Sequence, residues 1–155
     1  MAAITNPRVP FTNSIAGGMY PGRKMVVKGG IPPGSNGFSL DLVCGSDEIA
    51  MHFYICFDEL HIVRNSLISG NWGSEERSGG MPLIKGEPFE AQFECKEDCI
   101  RVELNGKHFC NYTHRTPYHK ITHVKGDAPG PRLPAFGLNT LDGQLEMSLY
   151  AMHVG

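Results

Sequence analysis

Apolar runs too short for helices, each closed off by Gly, Pro, Asn or Asp, recur from one end of this chain to the other, and this pattern most restricts its fold. The runs occupy residues 24–27, 37–43, 48–57, 62–68, 89–95, 100–104, 108–112 and 145–152. Within one of them Phe38, Leu40 and Leu42 alternate with Ser39, Asp41 and Val43, the period-two pattern of a strand that covers a core with one face. Asn105-Gly106 lies between two such runs and predicts a hairpin turn, because both residues tolerate positive φ. No window of helical length keeps an apolar 3.6-residue period free of Gly or Pro, and no internal repeat is present. The 19 Gly and 11 Pro are dispersed along the chain rather than gathered into a linker. All of this predicts an all-β sandwich or barrel.

At 155 residues the chain is expected to form one domain, 1–155, around a single core. With 14 Lys plus Arg against 16 Asp plus Glu it has no basic cluster to neutralise a run of phosphates, so nucleic acid is excluded as a partner. The first ten residues lack a basic segment followed by an apolar run, and no apolar stretch is long enough to span a bilayer. The expectation is a chain made in the cytosol with no membrane span. Five cysteines without a leader are expected to be free thiols. Cys95 and Cys99 bracket a turn, but C-x3-C spacing alone does not argue for a bridge or for zinc. Residues 126–134 carry Pro129, Pro131 and Pro134 and are expected to form a loop, since proline removes ladder donors.

In the run Met51-His52-Phe53-Tyr54-Ile55-Cys56-Phe57, side chains two apart share a face. Phe53, Ile55 and Phe57 are expected to pack inward, which leaves His52, Tyr54 and Cys56 on the open face of the sheet. Further on come Val63-Arg64-Asn65 and then Trp72-Gly73-Ser74-Glu75-Glu76-Arg77. Trp72 is the only tryptophan, and its polar and small neighbours predict an exposed indole. Glu75 and Arg77, two residues apart, are placed to hold one another as an acid–base pair.

These motifs resemble the sugar-binding cassette of the galectins, which reads His-Phe-Asn-Pro-Arg-Phe, Val-x-Asn and Trp-Gly-x-Glu-x-Arg. The likeness extends over nearly the whole chain, through Val9-Pro10-Phe11, Gly17-Gly18, Met81-Pro82, Lys85-Gly86-Glu87-Pro88-Phe89 and Tyr112-Thr113-His114-Arg115. It implies an antiparallel two-sheet sandwich of the galectin or jelly-roll kind, in which 126–134 is an insertion before a final pair of strands, 135–140 and 144–152. It also implies a non-enzymatic lectin for β-galactosides and other galactose-containing glycans.

By the same resemblance His52 takes the position that binds the axial hydroxyl of galactose, and Asn65 the position that binds its hydroxymethyl group. Trp72 stacks on the apolar C–H patch of the sugar while Glu75 and Arg77 serve hydroxyls. Tyr54 and Cys56 replace the family's asparagine and arginine, and Cys56 is expected to expose a reactive thiol near Arg77 and to leave Glu75 and Arg77 as a closed pair. The substitutions imply reduced or altered sugar preference; the alternative is a galectin-fold protein with little lactose binding that acts through protein contacts. Galectins pair through terminal strands or occur as tandem domains, and the family implies cytoplasmic residence with signal-peptide-independent export. His114, His119 and His123 would align only on a helix that Pro117 disfavours, so no metal site is expected. No cofactor is expected, and the Asn111-Tyr112-Thr113 sequon is expected to stay unmodified.

Overall fold

The computed structural model describes residues 3–4, 11–31, 33–45, 47–127, 136–141 and 144–149. In chain order the first strands are β1 (Ala3–Ile4), β2 (Phe11–Ser14), β3 (Lys24–Gly30), β4 (Gly37–Cys44) and β5 (Glu48–Cys56). Then follow β6 (His61–Ile68), β7 (Asn71–Trp72), β8 (Pro88–Cys95), β9 (Cys99–Leu104) and β10 (Lys107–Thr113). The last are β11 (His123–Asp127), β12 (Phe136–Leu141) and β13 (Gln144–Leu149). Among the described residues the helical content is one 3-10 turn, Tyr118–Lys120, beginning just after Pro117. No helix there is long and apolar enough to cross a membrane.

The strands form two sheets, one ordered β2-β11-β4-β5-β6-β7 and the other β1-β12-β13-β3-β8-β9-β10. Pairing is antiparallel except between β13 and β3, which run parallel. That exception departs from the antiparallel expectation. A parallel pair needs a long connection instead of a hairpin, and most of the chain separates these two strands.

The sheets stack through the inward faces that alternation predicts. Phe38, Leu40 and Leu42 of β4 and Met51, Phe53 and Ile55 of β5 are almost wholly buried. They meet Phe89 and Phe93 of β8 across the interior, with Phe53 edge-on to Phe93 at 5.1 Å between centroids and Phe38 tilted against Phe89 at 5.4 Å. A hydrogen-bond chain also links the layers: the Tyr112 hydroxyl of β10 donates to Ser66 Oγ of β6, which donates to the Ala50 carbonyl at 2.6 Å.

Asn105 and Gly106 join β9 to β10 with φ of 51° and 80°, the doubly left-handed pair that a tight hairpin needs. The turn is clipped to β8, since Asn105 Oδ1 accepts from the Glu90 N–H and the Asn105 N–H donates to the Glu90 carbonyl, each at 2.8 Å. The expectation of a loop over 126–134 needs correcting at its start. Gly126 and Asp127 complete β11 and pair with Leu40 and Ser39 of β4. Both still carry ladder donors, which are lost only from Pro129 onward. Residues 128–134 of that stretch lie outside the described residues, as do 135 and 150–152.

Candidate functional site

The six-stranded sheet turns its outer face to a groove whose floor is fixed by strand register. Asp41 of β4, His52 of β5 and Asn65 of β6 stand in one cross-strand row, and Ser39, Tyr54 and Val63 form the next. A third row joins Gly37, Cys56 and His61. Trp72, on the short edge strand β7, rises beside the first row. The groove has a volume of about 460 Å³, the size of a small-ligand site, and His52, Asn65, Trp72, Glu75 and Arg77 all line it, together with Tyr54 and Glu59.

Each side chain has a definite anchor. The Asp41 carboxylate, 5 % exposed, accepts from His52 Nδ1 at 2.6 Å, which leaves Nε2 as the ring nitrogen not used by Asp41. The imidazole lies between two aromatic rings, stacked near Tyr54 at 6.0 Å and tilted against the Trp72 indole at 5.2 Å. Trp72 is 52 % exposed, as its neighbours in sequence predict. Beyond it, Gly73 N–H donates to the Ser66 carbonyl, and Arg64 and Glu76 exchange two backbone hydrogen bonds of 2.9 Å, so the chain after the indole is laced to β6.

Glu75 and Arg77 hold one another as expected, with Arg77 Nε donating to Glu75 Oε1 at 2.8 Å. They are not a closed pair. Arg77 Nη1 also reaches Glu59 Oε1 at 3.1 Å and His61 Nε2 at 2.7 Å, because the turn after β5 carries Glu59 into the groove. The hydrogen bond to Glu75, followed by the Glu75 charge and the Glu59 contacts, raises the guanidinium above its usual value despite partial desolvation. His61 Nε2 also lies 2.9 Å from Glu59 Oε1. One ring nitrogen cannot accept from Arg77 and donate to Glu59 at once, so these contacts exclude each other.

Cys56 is corrected in one respect. It faces the groove side of β5, two residues on from Tyr54, yet it is only 6 % exposed. Its nearest neighbours on that face, Tyr54 two residues back and His61 directly across, are both large rings. Burial first, then the Cys56 thiol and the carboxylates of Asp58 and Glu59, push the Tyr54 phenol up. All five cysteines are free and buried.

Four residues shape the groove from outside the three sugar-binding motifs. Asp41 sits on the mixed face of its strand, but a register shift between Leu42 and Val43 hides its alignment with His52. Glu59 and His61 flank Leu60, whose left-handed φ of 57° makes a turn without a Gly or Asn to mark it. Arg115, from beyond β10, reaches Asn65, Ser74 and Glu76. The histidines that invited a metal reading are engaged elsewhere: His114 with the Lys96 carbonyl, His119 edge-on to Tyr118, and His123 with the Thr122 hydroxyl.

The Galactoside-binding lectin family model matches residues 10–128. Galectin-4 of Bos taurus is 38 % identical over 112 residues, covering 71 % of this chain and 34 % of its own length. The 32 kDa beta-galactoside-binding lectin of Caenorhabditis elegans is 33 % identical over 121 residues, 77 % of this chain and 43 % of that protein. The chain thus spans less than half of either relative. Among solved structures, Caenorhabditis elegans galectin LEC-6 superposes with a TM-score of 0.72 at 27 % identity, covering 81 % of this chain and 88 % of that one.

Proposed function

Because this chain belongs to the galectin family of galactoside-binding lectins, we propose that it binds β-galactosides in the groove beside Trp72, with weakened or shifted glycan preference. One observation carries the reading: an exposed indole, an imidazole oriented by a buried carboxylate, Asn65, and the Glu75–Arg77 couple converge on one shallow groove. A pyranose has an apolar C–H face and a rim of hydroxyls, and this groove offers an aromatic wall opposite directional polar groups. His52, Asn65, Trp72, Glu75 and Arg77 are the proposed contacts. As a family of lectins, galectins bind sugars and catalyse no reaction.

The weakening has a specific source. Cys56 brings no charge to the position that the resemblance gives to arginine, and one charge-assisted hydrogen bond contributes about 1.5–3 kcal/mol, roughly a tenfold to hundredfold change in affinity. Tyr54 meanwhile fills groove space with its ring. Calorimetric titration with lactose tests the proposal. Saturable binding abolished by Trp72→Ala supports it, and no heat at millimolar lactose sinks it.

A second reading, a galectin fold that has lost sugar binding and works through protein contacts, is favoured by those same two positions, Tyr54 and Cys56. It requires that Tyr54→Asn with Cys56→Arg gain lactose binding that the parent lacks. Cytoplasmic residence with export independent of a signal peptide, and pairing with a second copy or a tandem domain, are the proposed cellular setting.

A further inference from the structure

We infer that Arg115 is a positioning residue for the groove, fixing the Asn65 carboxamide so that it offers ligand a hydrogen-bond donor and no acceptor. The inference rests on the galactoside reading above only for the identity of the ligand. Asn65 is 4 % exposed and nearly all of its polar capacity is committed. Its Oδ1 accepts from the Ser66 N–H at 2.7 Å and from Arg115 Nη1 at 3.0 Å, which fills both lone pairs. Its Nδ2 donates one hydrogen to the Gly73 carbonyl at 2.9 Å, leaving a single N–H for the groove that Asn65 lines.

The opposite orientation of the amide is excluded by its surroundings, because Nδ2 would then face two donors and Oδ1 would face a carbonyl. Without Arg115, only the Ser66 N–H and the Gly73 carbonyl would oppose the flip. Arg115 is held in turn by three groups besides Asn65. Its Nη2 donates to the Ser74 carbonyl at 2.8 Å and to Glu76 Oε2 at 2.9 Å, and its guanidinium lies 4.8 Å from the Tyr112 ring centroid. Gly73 completes the cradle, since a Cβ there would stand 2.8 Å from Arg115 Nη1 and 3.3 Å from Asn65 Oδ1. A planar fork can serve the Asn65, Ser74 and Glu76 oxygens together, as a lysine ammonium in one place cannot.

The chemical consequence is a selectivity rule: the ligand atom opposite Asn65 must be a lone-pair acceptor. It need not carry a hydrogen. The test uses Arg115→Ala, Arg115→Lys and Gly73→Ala beside the parent chain. In ligand-free protein, the Asn65 side-chain NH2 cross-peaks are followed by 15N–1H NMR. They are expected to shift in all three variants. Titration then compares methyl β-D-galactopyranoside with its 6-deoxy and 6-deoxy-6-fluoro analogues, the fluorine keeping lone pairs but no hydrogen. The parent is expected to favour the fluoro over the deoxy analogue by about threefold or more, a modest hydrogen bond's worth, and the variants to lose that preference. Unshifted Asn65 peaks in both Arg115→Ala and Gly73→Ala, or full rescue by Arg115→Lys, overturn the positioning role. If Arg115→Ala fails to fold, Arg115→Lys, which keeps the charge but lacks the planar fork and leaves Gly73 untouched, decides the matter. A parent that binds none of the sugars overturns the galactoside reading while the NMR comparison still judges Arg115.

Discussion

Asp41 holds His52 from behind the groove, its buried carboxylate accepting the Nδ1 proton at 2.6 Å. The pair sets both the tilt of the imidazole and which of its nitrogens is left for ligand. Exchanging Asp41→Asn keeps an oxygen acceptor of the same shape but removes its charge. Lactose affinity is expected to fall by about tenfold, the difference between a charge-assisted and a neutral hydrogen bond. Calorimetry measures the affinity, and circular dichroism checks that the sheet is intact. Unchanged affinity with an intact fold would show that the carboxylate does not orient the ring.

Cys56 is expected to resist alkylation in the folded protein and to react only on unfolding, because it is buried on a face where its neighbours Tyr54 and His61 carry large rings. Tyr54→Ala removes one of those rings and is expected to speed labelling of the thiol. Mass spectrometry after a timed iodoacetamide pulse, with and without urea, separates the cases. Rapid labelling of the native parent would contradict the burial.

Gly37 opens β4 with φ of 148°, and a Cβ there would collide with the Ile55 carbonyl of β5. Neither partner is a movable side chain, so Gly37→Ala is expected to destabilise the fold by about 2 kcal/mol or more. Gly34→Ala is the control, because nothing lies within 4 Å of a Cβ at that position. Urea midpoints compare the two, and equal midpoints would count against the clash.

Burial is the main cause pushing the Cys95 and Cys110 thiols up to about 11 from the ordinary value of 9.0. The folded state therefore keeps protons that the unfolded state releases between those values. Stability is expected to be fully retained below pH 9 and to fall as pH climbs from about 9 toward 11. Chemical denaturation at pH 8 and pH 10.5 measures the loss, and it should shrink in Cys95→Val with Cys110→Val. A loss of the same size in that double variant would assign it to other groups.

Much of this architecture is legible from local pattern. Alternation along residues 51–57 places Phe53 and Ile55 inward and His52 and Tyr54 outward, and Asn105-Gly106 marks its own hairpin. The exposed Trp72 and the Glu75–Arg77 contact also follow from their neighbours in sequence. What escapes is whatever depends on register or on distant chain. Parity gives the direction of Cys56 but not how deeply it is covered there. The Asp41–His52 pairing crosses a strand pair with a register shift, and Arg115 meets Asn65 across 50 residues. Strand β11 was masked by the proline-rich stretch that begins just beyond it.

Trp72 is the sole indole of the chain and stands half in water. Its emission already reports a wet ring before the protein unfolds, so global denaturation should move the spectrum little, whereas a sugar laid over the ring dries one of its faces. The molecule thus carries a built-in optical gauge that responds to occupancy of the groove and is nearly blind to loss of the fold.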